Sequence, residues 1–224
     1  MDLKLTNKVA LVTGASIGIG TTIAKHLAEE GCRLAILARR ELLLEKVADD
    51  IAATGAERPL IIVEDITADG MAERIQSNVM DHFGQLDILI NNAGGSRPMA
   101  GLGTEEEWEE AMLLNFTAAR RLTHALVPGM QANGFGRIVN LTGADEPYGM
   151  NAAVPPNGAV HLWAKALSRK VGADGVTVNS IPPGRIHSEQ IDVRLMPNKD
   201  VQKAWVDQHC PAGYIGEPED LAVL

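Results

Sequence analysis

Cysteine is nearly absent. Cys32 and Cys210 are the only two in 224 residues, too few for the disulfide framework of a small secreted fold. Cys32 opens an apolar run and reads as a small core residue. Long apolar runs are absent too. None approaches the ~20 residues that cross a bilayer, and the opening MDLKLTNK lacks the apolar stretch of a signal peptide. A membrane partner is therefore not expected. The Asn-x-Thr sequences at Asn115 and Asn140 are chance matches, and the cytoplasm is the expected compartment. Basic charge is in deficit: 20 Lys and Arg stand against 29 Asp and Glu, a formal net charge of -9 and a pI near 5.1. That balance argues against nucleic acid as a main partner, while leaving room for one local basic pocket. The six histidines are scattered, without His-x-x-x-His or His-Glu-x-x-His spacing, so no metal site is expected.

What is present is a 46% hydrophobic chain with 22% charged residues, enough for one sizeable core. It reads as a single domain, 1–224, without repeat, linker or low-complexity segment. Short apolar runs alternate with longer helical patterns. The runs are Lys8–Val12, Arg33–Ala38, Leu60–Val63, Leu86–Ile90, Arg137–Leu141 and Val176–Ile181, each nearly continuous in apolar residues, as strands buried on both faces should be. The helical patterns are Gly20–Glu30, Glu41–Thr54, Ala68–Phe83, Thr104–Gln131 and Gly158–Gly172. Thr104 and Glu107 form a capping box that marks a helix start. Pro155-Pro156 is expected to delay the last helix to about Asn157 or Gly158, and the segments Ser96–Gly103 and His187–Gly216 read as loops. Strict alternation of strand and helix predicts an α/β Rossmann-type doubly wound parallel sheet, order 3-2-1-4-5-6, with helices on both faces. The chain ends one turn into an apolar helix face, Leu221-Ala222-Val223-Leu224, which reads as a domain cut short at its C-terminus.

In such sheets ligands sit beyond the carboxyl ends of the strands. The segment after the first run is Thr13-Gly14-Ala15-Ser16-Ile17-Gly18-Ile19-Gly20. Gly14 can take backbone angles closed to other residues, and Gly18 and Gly20 allow a pyrophosphate and the strand to approach the helix start. The free N–H groups of that start, with the helix dipole, favour an anion. Together with Asn91-Asn92-Ala93-Gly94 after the fourth run and Val178-Asn179-Ser180-Ile181-Pro182-Pro183-Gly184 in and after the sixth, this set resembles the short-chain dehydrogenase/reductase family. The resemblance covers essentially the whole chain and looks closest to the 3-oxoacyl-carrier-protein reductase branch.

The resemblance implies a set of roles. Gly14, Ser16, Gly18, Ile19 and Gly20 would line the pyrophosphate. Asp65, with Ile66, would meet the adenine. Asn91, Ala93 and Gly94 would border the ribose and brace the central strands. Pro183, Gly184 and Ile186 would border the nicotinamide, with Ser188 where a Thr often stands. Asn115 would help hold a water of the proton relay. The long helix and the last one would pair across a subunit interface, giving a homodimer or homotetramer. The second strand ends in Arg39-Arg40 without an acid, which tilts the cofactor toward NADP(H) over NAD(H), since guanidinium groups grip a 2′-phosphate bidentately; a basic residue inside the glycine turn is missing, Ile17 standing there.

The family's Tyr-x-x-x-Lys proton donor is not in the chain. Counting back without a gap from Val176-Thr177-Val178-Asn179, the Tyr position falls on Ala153 and the Lys position on Asn157; the upstream Ser position falls on Gly143. Thr142 is a candidate to hold a carbonyl oxygen and Tyr148 to give the proton, although the nearby acids give its phenol no neighbouring cation. His161 is expected at a helix–helix contact and Lys165 at the surface. Two functions compete: hydride transfer between NADP(H) and a small carbonyl or alcohol substrate, with Asn115, Thr142 and Tyr148 in the catalytic set, or dinucleotide binding by a sensor or silent partner subunit with a degenerate site.

Overall fold

The computed structural model describes residues 3–143 and 149–222. Six strands form one sheet in the order β3-β2-β1-β4-β5-β6: β1 Val9–Thr13, β2 Arg33–Ala38, β3 Leu60–Val63, β4 Ile88–Asn91, β5 Gly136–Leu141 and β6 Val176–Ile181. Every pairing is parallel, so all carboxyl ends share one edge. β2, β3 and β6 match the sequence reading to the residue. β1 and β4 run on to Thr13 and Asn91, polar residues that an apolar-run reading stops short of but whose backbones pair with Leu37 and Asn140.

The helices are α1 Gly18–Glu29, α2 Glu41–Ala52, α3 Met71–Phe83, α4 Glu105–Met112, α5 Ala118–Ala132, α6 Val154–Val171, α7 Lys199–His209 and α8 Pro218–Ala222. Alternate residues of the strands feed two cores. Val9, Leu11, Leu37 and Leu89 pack with α3, α5 and α6 on one face; Ala10, Val12, Leu34 and Ile36 pack with α1 and α2 on the other. Burial on both faces holds for β1, β2 and β4. It fails for the edge strands β3 and β6 and for β5, whose residues alternate between covered and half-covered.

Three expectations are corrected. The pattern Thr104–Gln131 is not one uniform α-helix: α4 and α5 are joined by a widened π turn, Leu113–Thr117. Pro155-Pro156 does not delay α6, which starts at Val154. The first-turn N–H groups of a helix have no partner inside it, so two prolines there remove nothing the helix needs. The segment read as a loop after β6 holds a π turn, Gln190–Leu195, and α7, whose start is capped by the Asn198 side chain accepting from Asp200 N and Val201 N. Ile191, Val206 and Ile215 give this segment a small core of its own.

Candidate active site and dinucleotide cradle

The carboxyl edge gathers the ends of all six strands. At the end of β1, Gly14 takes φ +68° and Gly18 φ +58°, left-handed angles that suit glycine. Gly20 is required for space: a Cβ there would lie 2.5 Å from the Gly14 carbonyl oxygen. The turn is braced from both sides. Thr21 Oγ1 donates to Ala15 O at 2.8 Å. Thr13 Oγ1 donates to Ile90 O and accepts from the backbone of Asn92 and Ala93, both at 3.0 Å, while Asn92 Nδ2 donates to Thr13 O and Gly14 O at 3.0 and 3.2 Å. α1 then begins with no side-chain cap and no acid in its first turn. Its opening N–H groups and dipole end suit a diphosphate, so these residues fit a dinucleotide. Ser16, Ile19 and Ala93 stand at this turn, Ser16 buried and Ile19 and Ala93 against the two cores.

Asn91 faces inward. Its Nδ2 donates to Thr123 Oγ1 at 3.0 Å and Asn140 Oδ1 at 2.9 Å, and Asn140 Nδ2 donates on to Asn179 O at 3.2 Å. This buried amide row ties β4, β5 and β6 to α5, the bracing role expected of Asn91; its side chain is turned from the rim where a ribose would lie.

At the far corner, Arg39 lies 3.6 Å from Asp65. Asp65 Oδ1 accepts from Thr67 N at 2.9 Å and Thr67 Oγ1 at 2.7 Å. These bonds, and then Arg39, hold its carboxyl below the usual carboxylate range. Ile66 is buried in the core, so only its backbone can face a ligand. Arg40 donates to Glu189 at 3.0 Å.

Toward the other end, Asn115 sits inside the π turn, a kind of turn often found at functional sites. Its Oδ1 accepts from Gly95 N at 2.9 Å and its Nδ2 donates to Ala111 O at 3.0 Å. A Cβ on Gly94 would meet the same oxygen at 2.9 Å. Thr142, at the end of β5, donates to Ile181 O at 3.3 Å, and its Oγ1 lies 2.9 Å from His161 Nε2. A hydroxyl hydrogen given to Ile181 makes the imidazole the donor in that second bond. His161 thus meets the end of β5, a contact the sequence reading did not foresee. Asn157, four residues earlier, shares its face of α6, and its Nδ2 lies 2.7 Å from where a Cβ on Gly143 would be. Pro183 and Gly184 follow β6, and Ile186 bridges to Gly216. Tyr148 lies outside the described residues. Among those described, no group of three or more His, Cys, Asp or Glu could hold a metal ion.

A family model described as short chain dehydrogenase matches residues 8–195. The chain is a short-chain dehydrogenase/reductase.

Its relatives in that family include the 3-oxoacyl-acyl-carrier-protein reductase of Vibrio cholerae, 35% identical over 98% of this chain and 88% of the relative, and the acetoacetyl-CoA reductase of Rhizobium meliloti, 34% identical over 96% and 88%. Among solved structures, L-sorbose reductase from Gluconobacter frateurii, complexed with NADPH and L-sorbose, superposes with a TM-score of 0.91 at 29% identity, covering 99% of this chain and 89% of that one. A 7α-hydroxysteroid dehydrogenase complexed with NADH superposes with a TM-score of 0.89 at 26% identity, covering 97% and 85%. The chemistry of this short-chain dehydrogenase/reductase is accordingly nicotinamide-dependent hydride transfer of the carbonyl–alcohol type.

Ala153 and Asn157 are the residues the sequence reading sets at the Tyr and Lys positions. Ala153 is 3% exposed. The chain before it is pinned as a short antiparallel ribbon, with Pro98 bridged to Asn151, Met99 N donating to Met150 O and Ala152 N to Arg97 O, each at 3.0 Å. The Asn151 side chain adds a bond from Arg97 N at 2.9 Å. The sequence reading missed Asn92, Asn157 and Glu189. Asn92 was visible inside the Asn91–Gly94 motif; Asn157 was visible only as the residue replacing Lys; Glu189 gave no signal, because its partner is 149 residues away.

Proposed function

We propose that the chain binds NADP(H) in preference to NAD(H) and passes hydride to or from a small carbonyl or alcohol substrate. The observation that carries this is the uncapped, acid-free start of α1 at the carboxyl edge, with Arg39 and Arg40 at the neighbouring end of β2. Gly14, Ser16, Gly18, Ile19 and Gly20 would hold the diphosphate, Arg39 the 2′-phosphate corner, Asp65 and Ile66 the adenine side, and Ala93 and Gly94 the ribose, with Asn91 bracing the end of β4 behind them through Thr123 and Asn140. Pro183, Gly184 and Ile186 would border the nicotinamide. A nicotinamide dinucleotide, when bound, supplies the hydride.

The protein's part is position and the proton. Asn115, with both ends of its amide held by Gly95 and Ala111, fixes the backbone beside the nicotinamide. Thr142 would turn its hydroxyl hydrogen from Ile181 O to a substrate oxygen, with His161 donating to its Oγ1, and Tyr148 would give the proton. Thr142 is supported by its place directly after β5 and Asn115 by its bond from Gly95 N beyond β4; Tyr148 is assigned from its position in the sequence, six residues after Thr142. Holding substrate and hydride donor together supplies much of the rate even where the proton donor is weak.

The same reading includes self-assembly, as a homodimer or homotetramer through α4, α5 and α6. Leu162 on α6 is 76% exposed, and Trp163 beside it meets Phe116 edge-on at 6.1 Å.

Calorimetric titration with NADPH and NADH tests the cofactor. NADPH should bind tighter; binding of neither defeats the proposal. Oxidation of NADPH against a panel of ketones and 3-oxoacyl thioesters tests turnover, with Gly14→Asp as the blank. A rate equal to that blank would leave only a dinucleotide-binding protein. Where turnover is seen, Tyr148→Phe and Thr142→Val should each remove most of it, and a variant with an unchanged rate takes that residue out of the mechanism.

A further inference from the structure

The segment following β6 crosses the carboxyl edge of the sheet. It is fixed at its root, where His187 N donates to Gly216 O at 2.7 Å and Ile186 bridges to Gly216. It passes the glycine turn, since a Cβ at Gly18 would lie 3.7 Å from the Ser188 Cβ. It is tied to the end of β4, where Gln190 Oε1 accepts from Ser96 N at 3.1 Å. Between these ties stands Glu189. One of its carboxylate oxygens receives the Arg40 guanidinium at 3.0 Å; the other lies 3.6 Å from Arg194.

We propose that Glu189 is a determinant of cofactor selectivity, an internal carboxylate that holds Arg40 and must yield it to a ribose 2′-phosphate. This rests on the reading that Arg39 and Arg40 face that phosphate. A guanidinium binds a carboxylate and a phosphate through the same planar set of donors, so one Arg40 cannot serve both fully. Glu189 weakens binding of a dinucleotide that carries the 2′-phosphate and leaves one that lacks it untouched. The exchange is easy. The Arg40 and Glu189 side chains are 46% and 36% exposed, where ion pairs are weak, and Glu189 keeps Arg194 when Arg40 leaves. The neighbouring pair responds in the same direction: Arg39 stands 3.6 Å from Asp65, while the Asp65 oxygen that accepts from Thr67 at 2.7 and 2.9 Å stays engaged without it. Because Glu189 is carried between Ser188 and Gln190, the exchange also releases one of the ties of the crossing segment.

The test is calorimetric titration of NADPH and NADH into the wild type, Glu189→Gln, Arg40→Gln and the double variant. Glu189→Gln should tighten NADPH roughly twofold to fivefold, the range of an exposed ion pair, with NADH unchanged. Arg40→Gln should weaken NADPH, and adding Glu189→Gln to it should then change nothing. A Glu189→Gln shift equal for both dinucleotides, or one that persists without Arg40, overturns the proposal. Silence of Glu189→Gln in a wild type whose NADPH preference depends on Arg40 overturns it alone. A wild type that prefers NADH, with Arg40→Gln neutral, overturns the 2′-phosphate reading together with it.

Discussion

At the scale of single residues, two glycines of one turn carry different burdens. Gly20 has no room: an added Cβ would lie 2.5 Å from both Gly14 O and Asn92 Nδ2. Gly20→Ala should lower stability by about 1–3 kcal/mol, the usual range for forcing extra volume into a packed site, and should also weaken dinucleotide binding. Gly18 has room, and its constraint is its left-handed φ of +58°, so Gly18→Ala should cost about 1 kcal/mol. Urea unfolding of the two variants measures both. The thiols separate in the same way. Burial pushes Cys32 up to about 11, with help from Glu30 and Asp87. A thiol reagent at pH 8 should label Cys210 in the folded protein and reach Cys32 only on unfolding. Because the folded thiol is held protonated, the stability linked to it is fully present below its ordinary value and is lost as pH rises toward about 11. The core place of Cys32 was legible from the apolar run it opens. The partners of Asn91 were not: a buried row of amides joins residues from three strands and a helix, and spacing in one segment does not encode which distant side chain completes its hydrogen bonds.

At the scale of elements, local chemistry was legible where it was local. The Thr104–Glu107 box is formed as read, with Glu107 N donating to Thr104 Oγ1 at 3.3 Å and Thr104 N to Glu107 Oε2 at 2.8 Å. Thr104→Ala should therefore lower stability by about 1 kcal/mol, read as a shift of the urea midpoint with an unchanged slope. The prolines of α6 show the opposite case. Their breaking power depends on where in the helix they stand, and here they fall in the first turn of a helix that begins at Val154. The segment after β6 was read as a loop; its small core of Ile191, Val206 and Ile215 appears only once the π turn and α7 lie against each other. No helix among the described residues is long and apolar enough to cross a membrane.

At the scale of the whole molecule, the strand order followed from alternation together with right-handed crossovers, because few topologies satisfy both. The placement of charge around the carboxyl edge was not legible. Several carboxylates there are held below their ordinary range: Asp65 by Thr67, Glu64 and Glu110 by Arg74 and Arg97, and Asp192 by His187, Ser188 N and Gln202 against the opposing effect of burial. For a depressed carboxylate the linked stability is present above its unfolded value, about 4, and falls away as pH drops through the folded one. The melting temperature should hold from pH 7 to about 5 and fall steeply below about 4. Asp65→Asn and Asp192→Asn should flatten that fall, and an unchanged acid limb in both would remove these groups as its cause.

The π turn at Leu113–Thr117 amounts to one extra residue held in a helix. Each residue advances an α-helix by about 100°, so a single-residue deletion here would restore regular winding and rotate Asn115 off Gly95, while most substitutions would leave the turn's backbone in place. This stretch should accordingly accept changes of residue type far more readily than changes of length.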